Sequence, residues 1–216
     1  MTGDLRTGAG LREAIADVTA IVHTASDPRS AREVDVAGTA RLLGAARATG
    51  HRPHLIYISI VGVDRIPYRY YRAKLATEQA IERSGLPWTI LRTTQFHEFT
   101  HAIATRLTRF PGVVPVPRGW GVQPIDVAEV ATHLAAAVDA PPGGRLPDLG
   151  GPEILTISVL ASSYLHSRNE HRRMIQLPVP GRLSAAFRAG ANLVPDNRAG
   201  GLTWRGYLDR HGDATT

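Results

Sequence analysis

Short β-branched runs alternate along this chain with stretches whose apolar residues recur near the 3.6-residue period of a helix. Residues 11–17 read as a short helix, and 19–24 (TAIVHT) as a strand fit for burial in a parallel sheet. Val34, Ala37, Leu42, Leu43 and Ala46 then share a helix face that Gly50 ends. The run 55–60 (LIYISI) is the next strand. A loop with Gly62, Asp64 and Pro67 leads from it into a helix over 70–84, which Gly85 and Pro87 close. A third strand, 88–91 (WTIL), precedes a helix over 96–109. Residues 111–124 are rich in Pro, Gly and Val and read as loops or a short strand, before Asp126 caps a helix reaching about residue 138. Residues 145–149 add a last strand, and from 151 onward the Pro-punctuated remainder reads as a small helix-and-loop appendage.

Strands alternating with helices at this spacing imply right-handed β-α-β units, hence an α/β fold with a doubly wound parallel sheet. A length of 216 residues supports one sizeable core with an appendage, divided here as 1–150 and 151–216. No apolar run approaches the roughly 18 residues of a membrane span, so no membrane partner is expected. The start, MTGDLRTGAG, lacks a basic region followed by an apolar stretch, which makes a cytoplasmic location the expectation. The absence of cysteine excludes a disulfide framework, a thiolate metal site and a cysteine nucleophile. A net charge of +6 invites a nucleic-acid reading, but the basic residues are spread along the chain in groups no denser than His171, Arg172 and Arg173. A solvated basic surface accounts for them better.

One compositional feature is sharper. Lys74 is the single lysine among 25 basic residues, and it lies four residues after Tyr70. Arginine serves wherever a generic positive charge is wanted, so the exception marks a place where a compact ammonium differs from a forked guanidinium. On a helix Tyr70 and Lys74 face the same side, and Ser59 ends the strand before them, at the end of a parallel sheet where ligands bind. An ammonium beside a phenol favours the phenolate and would lower the tyrosine pKa toward the working range of proton transfer. Ser59 would hydrogen-bond a substrate carbonyl or hydroxyl.

These segments resemble the short-chain dehydrogenases, in their atypical NmrA-like and nucleoside-diphosphate-sugar epimerase-like branch. The matching stretches are GDL at 3–5, VTAIVHTAS at 18–26, DVAGTARLLGAA at 35–46, YISIVG at 57–62, YYRAKLATE at 70–78, LPWTILRTTQF at 86–96 and QPIDVAEVA at 123–131. The resemblance implies a Rossmann-like fold, NADP or NAD as cofactor with NADP ahead, and a small carbonyl or hydroxyl substrate. It implies that Asp4 and Leu5 flank the adenine and that Thr24, Ala25 and Ser26 approach the dinucleotide. Tyr70 becomes the catalytic tyrosine, Lys74 its ribose-binding lysine, and Thr93, Thr94 and Phe96 the nicotinamide-end lining, with the segment after Gly151 forming the substrate pocket. The family's catalytic Ser or Thr often lies slightly beyond Ser59, where this chain has Ile60 and Val61.

Two further readings compete with a redox enzyme. NmrA-like proteins include dinucleotide-sensing regulators, so the fold can be kept and turnover dropped. His97, Glu98 and His101 also spell the H-E-x-x-H pattern of zinc peptidases, although only distant Asp126 or Glu129 offers a third ligand. In the resembled family the GDL segment follows a strand-helix-strand unit whose glycine turn cradles the pyrophosphate. The glycines at 8, 10, 38 and 44 follow no expected strand. The expectation is therefore a chain lacking that unit, with weakened cofactor binding and with 19–24 as an apolar sheet edge open to self-association.

Overall fold

The runs 19–24, 55–60 and 88–91 become strands and the periodic stretches between them helices in the computed structural model, which describes residues 1–211. The strand expected over 145–149 is only Gly144–Arg145, with an isolated bridge at Leu149. The last five positions of the expected 151–216 region lie outside the described residues. In chain order the elements are α1 (Leu11–Ala14), β1 (Ala20–His23), a π-helical segment (Arg32–Gly38) that continues as α2 (Thr39–Ala48), β2 (His54–Ile60), α3 (Arg69–Glu82), β3 (Trp88–Thr93) and α4 (His97–Thr108). There follow β4 (Val114–Pro117), β5 (Gly121–Val122), α5 (Val127–Asp139), β6 (Gly144–Arg145), β7 (Leu155–Thr156), α6 (Ile157–Ser167), β8 (Met174–Leu177), α7 (Arg182–Arg188) and α8 (Trp204–His211). The chain forms two compact units: Met1–Arg92 with Ala131–Pro147, and Thr93–Val130 with Asp148–Thr216.

The first unit is built on a four-stranded parallel sheet in the order β1-β2-β3-β6. β1 runs parallel to β2 from the Ala20–His54 pair to the His23–Tyr57 pair, and β1 is the sheet edge among the described residues. Leu42, Leu43 and Ala46 of α2 and Ile81 of α3 pack with Leu55, Tyr57 and Ile90 of the sheet in one apolar cluster. Gly38 lets Leu5 pack closely, because a Cβ there would lie 3.0 Å from Leu5 Cβ and the neighbour would have to shift.

The helix expected around 34–46 differs in its first turns, which are π-helical, and the reason lies in Asp35. Its side chain is fully buried, and the extra residue per turn keeps its carboxylate aimed inward. β3 likewise extends past the apolar WTIL run through Arg92, because the charge is met. Arg92 Nε and Nη2 donate to Glu78 Oε1 and Oε2 at 2.9 and 2.7 Å, and Nη1 donates to Asp64 at 3.0 Å. Glu78 is fully buried on α3 and also receives Arg145 at 3.2 Å. These carboxylates hold the Arg92 guanidinium above its ordinary pKa against the opposing effect of burial.

The second unit encloses Val114 and Val116 of β4, Leu160, Tyr164 and Leu165 of α6, and Trp204, Tyr207 and Leu208 of α8. Buried Gln123 threads its loops: its Nε2 donates to Gly151 O and Val194 O, and its Oε1 accepts from Val194 N. β7 and β8 are strands where loops were expected. Both are short and β8 is followed at once by Pro178, so neither carries a readable alternation.

Removing one partner of a buried, bidentate ion pair strands the other charge. Glu78→Gln is therefore expected to destabilise the chain by about 3 kcal/mol, read as a lower urea midpoint at unchanged slope. A shift within error of zero would contradict this role for the pair.

Candidate functional site

The C-terminal end of β1 turns into the exposed stretch Thr24, Ala25 and Ser26, and the loop after it returns through the π-helical segment. This places Ser26 and Asp35 together, with the start of α3 beside them. Ser26 Oγ donates to Asp35 Oδ1 at 2.5 Å, and Tyr70 Oη lies 2.6 Å from the same Ser26 Oγ. A hydroxyl has one proton, and Ser26 spends its own on the carboxylate. Tyr70 is then the donor in the second bond, giving a chain from phenol to hydroxyl to buried carboxylate. The Asp27 amide donates to Asp35 Oδ2 at 3.1 Å and completes the carboxylate's environment.

Lys74 is buried one helical turn beyond Tyr70, with its ammonium directed to the end of β2. Its Nζ donates to Ile58 O at 2.9 Å, lies 4.2 Å from the centroid of the Tyr57 ring and stands 4.0 Å from Asp35 Oδ1. Burial lowers the ammonium to about 8, against the opposing pull of Asp35 and Glu78. The expected lowering of the tyrosine by the lysine is not what the structure gives. Burial raises the Tyr70 phenol above its ordinary value, the Ser26 bond lowers it, and the charges of Asp35 and Asp27 raise it further. The helix puts both residues on one face, but the long lysine stem carries its charge to the strand end rather than to the phenol.

Ser59 is buried at the end of β2, and its Oγ has no hydrogen-bond partner among the described residues. It does not join the Tyr70–Ser26 chain; the hydroxyl that does comes from the end of β1. Asp4 is exposed, and its carboxylate closes a local turn by accepting from Arg6 N at 2.7 Å and Thr7 Oγ1 at 3.0 Å. The Arg6 amide is the main reason its pKa is lowered. Leu5 is half-buried against the first unit's apolar cluster.

Thr93, Thr94 and Phe96 belong to the second unit. Thr94 Oγ1 accepts from Gly151 N at 3.1 Å, Thr93 bridges Leu149, and Phe96 bridges Ile125 at the start of α4. The HEFTH segment opens α4, and the His97 ring is buried in an aromatic group. It stacks on Tyr207 at 4.9 Å and its Nε2 lies 3.0 Å from Leu202 O. No group of three metal-ligating side chains gathers among the described residues.

Sequence reasoning missed Asp35, although it named the DVAGT segment that holds it. The available signal was an acidic residue between Val34 and Val36 in a helix otherwise turned to the core. It also missed His23, whose Nε2 lies 2.8 Å from Thr39 Oγ1 and whose ring centroid is 5.2 Å from that of Tyr57.

The residues present fit the sugar end of a dinucleotide. Lys74 has three donors and gives one hydrogen bond, to Ile58 O. Ser59 offers an orphaned hydroxyl, and Thr24 and Ala25 leave the strand end exposed. An α/β fold with tyrosine and lysine one turn apart beside such a strand end is that of the short-chain dehydrogenase-like NAD(P)-binding proteins. Within that class the chain belongs to the NAD(P)H-binding family, whose sequence profile matches residues 1–140. It is 33% identical over 154 residues to the (4-alkanoyl-5-oxo-2,5-dihydrofuran-3-yl)methyl phosphate reductase of Streptomyces griseus, in an alignment covering 68% of this chain and 51% of that one. The chain thus spans about half the length of that relative.

The fold is similar to that of the NADPH-dependent quinone oxidoreductase of Escherichia coli complexed with NADPH. The TM-score is 0.79 at 17% identity, over 97% of this chain and 82% of that one. It is also similar to a nucleoside-diphosphate-sugar epimerase of Staphylococcus aureus, with a TM-score of 0.74 at 17% identity, over 95% and 81%. No helix among the described residues is long and apolar enough to cross a membrane.

His23 supplies a pH test of the buried site. Burial, and after it the Lys74 charge, lowers its pKa from 6.5 to about 4. The folded state therefore resists a proton that the unfolded state accepts, so the contribution is complete above pH 6.5 and is lost as pH falls toward about 4. A loss on the order of 3 kcal/mol is expected over that window, and His23→Gln should flatten it. An equal acid loss in the variant would assign the effect elsewhere.

Proposed function

We propose that this protein is an NAD(P)H-dependent oxidoreductase of the short-chain dehydrogenase type, acting on a small carbonyl compound or the matching alcohol. The observation that carries this reading is the Tyr70–Ser26–Asp35 hydrogen-bond chain beside a buried lysine. The relative from Streptomyces griseus, a reductase by name, and the fold shared with an NADPH-dependent quinone oxidoreductase from Escherichia coli support it. Lys74 holds the ribose hydroxyls, Thr24, Ala25 and Ser26 run along the dinucleotide, and Asp4 and Leu5 flank the adenine. Thr93, Thr94 and Phe96 line the nicotinamide end, Ser59 is a second hydroxyl at the sugar end, and residues after Gly151 contribute the substrate pocket.

The bound cofactor supplies or accepts the hydride at the substrate carbon. Tyr70 moves the matching proton to or from the substrate oxygen. In reduction Tyr70 gives its proton to that oxygen and regains one from Ser26, whose exposed hydroxyl is refilled from solvent. In oxidation the same protons travel the other way, from Tyr70 through Ser26 to solvent. Burial, which keeps the phenol protonated at neutral pH, suits it to the reductive direction.

Tyr70→Phe or Lys74→Arg is expected to lower turnover at least about a hundredfold while the thermal transition is retained. Asp35→Asn should leave NADPH binding in place and lower kcat, because the carboxylate that orients the Ser26 hydroxyl beside Tyr70 is then lost. Steady NADPH oxidation across a panel of small ketones, aldehydes and quinones is the assay. NADPH binding without turnover on any of them would replace the enzyme with a dinucleotide sensor, and near-normal rates in the Tyr70 and Lys74 variants would remove the assigned pair.

A further inference from the structure

The second unit carries a surface that the redox reading does not use. β4 and β8 pair in parallel as a two-stranded ribbon, with Pro115 opposite Ile175 and Pro117 opposite Leu177. One face of the ribbon is built into the unit, where Val114 and Val116 are buried and Met174 packs against the core. The other face is apolar and open: Leu177 is 45% exposed, Val113 just before β4 is 51% exposed, and Ile175 and Val179 are also exposed. Parallel strands are ordinarily covered on both faces. The chain enters the ribbon through a tip at Phe110, 65% exposed, where the Arg109 guanidinium lies 4.3 Å from the ring centroid. Arg172 Nη1 fastens that tip by donating to Thr108 O and Phe110 O.

The charge around this face is of one sign. From Phe99 to Ile125 and from His171 to Pro195 the sequence has no Asp or Glu, while Arg109, Arg118, Arg173 and Arg182 flank the two strands and are exposed. Glu170, just outside, is engaged by Arg172 and Arg168. A second copy placed symmetrically on the face would bring the same arginines against these. Strand addition along β8 is limited to its four residues, because Pro178 and Pro180 follow it and offer no N–H to extend a ladder. A flat apolar strip with an arginine rim instead matches the boundary of an anionic bilayer, with side chains reaching the acyl region and guanidinium groups at the phosphates.

We propose that the β4–β8 face docks the protein onto anionic lipid surfaces without crossing them. Co-sedimentation of the full chain with vesicles of phosphatidylcholine alone, and of phosphatidylcholine and phosphatidylglycerol in equal parts, tests this. Binding is expected to the mixed vesicles only and to weaken with salt. Arg109→Glu combined with Arg173→Glu should weaken it by about tenfold or more, and Ile175→Asp combined with Leu177→Asp should do the same. All four positions are exposed, and a thermal melt matching the parent verifies that each variant folds. Equal binding to neutral vesicles, or no binding to either, would overturn the proposal. So would a lipid-independent dimer that the Ile175/Leu177 variant returns to monomer, since the face would then belong to a second copy.

Discussion

A buried carboxylate organises the first unit. A carboxylate out of water needs partners, and those of Asp35 come from two places in the chain. The loop after β1 supplies the Ser26 hydroxyl and the Asp27 amide, and α3 brings the Lys74 ammonium to 4.0 Å. Thr77 of α3 ties down the Asp35 backbone by donating to its carbonyl at 3.0 Å. Meeting these demands fixes where β1 ends, how the π-helical segment enters α2 and which face α3 turns inward. The position of Tyr70 follows from them, since it rides on α3 and reaches the carboxylate only through Ser26.

The same constraint explains the single lysine. Its surroundings offer one carbonyl, one aromatic face and a carboxylate at a distance, which suffices for a compact ammonium with a long apolar stem. A guanidinium would bring five donors in a fixed plane into a space with far fewer acceptors, and each unmet donor costs desolvation energy. Arg92 shows the complementary case. There Glu78 and Asp64 present enough oxygens in the right plane, and arginine is the residue found. The near-exclusive use of arginine elsewhere made the exception visible in the composition before its environment was known.

The strands and most helices were legible because their apolar positions follow the period of the element, and Gly50, Gly85, Pro87 and Asp126 mark their ends. Asp126 does cap α5, accepting from Ala128 N at 3.0 Å. What was not legible is polar and buried. On α3 the inward stripe includes Lys74, Thr77 and Glu78, and no hydrophobicity pattern can turn those residues inward. Arg92 at the end of WTIL stopped the reading of β3 for the same reason. Asp35 was hidden because a helical period offers no hint of a π turn. In the candidate site, Tyr70 and Lys74 were found from spacing, whereas the partner of the tyrosine was sought on Ser59 rather than on Ser26. Ser59 follows an obvious strand, while Ser26 reaches Tyr70 only through the path of a loop.

That exchange of partners bears on the direction of the proposed chemistry. A phenol lowered by an adjacent ammonium is a ready base, suited to taking the proton of an alcohol. Here the ammonium gives its one hydrogen bond to Ile58 O, and burial raises the phenol, with the Asp35 and Asp27 carboxylates adding to it. A protonated phenol is a donor, so in the proposed chemistry it would serve carbonyl reduction directly, whereas oxidation would first require it to lose its proton through Ser26.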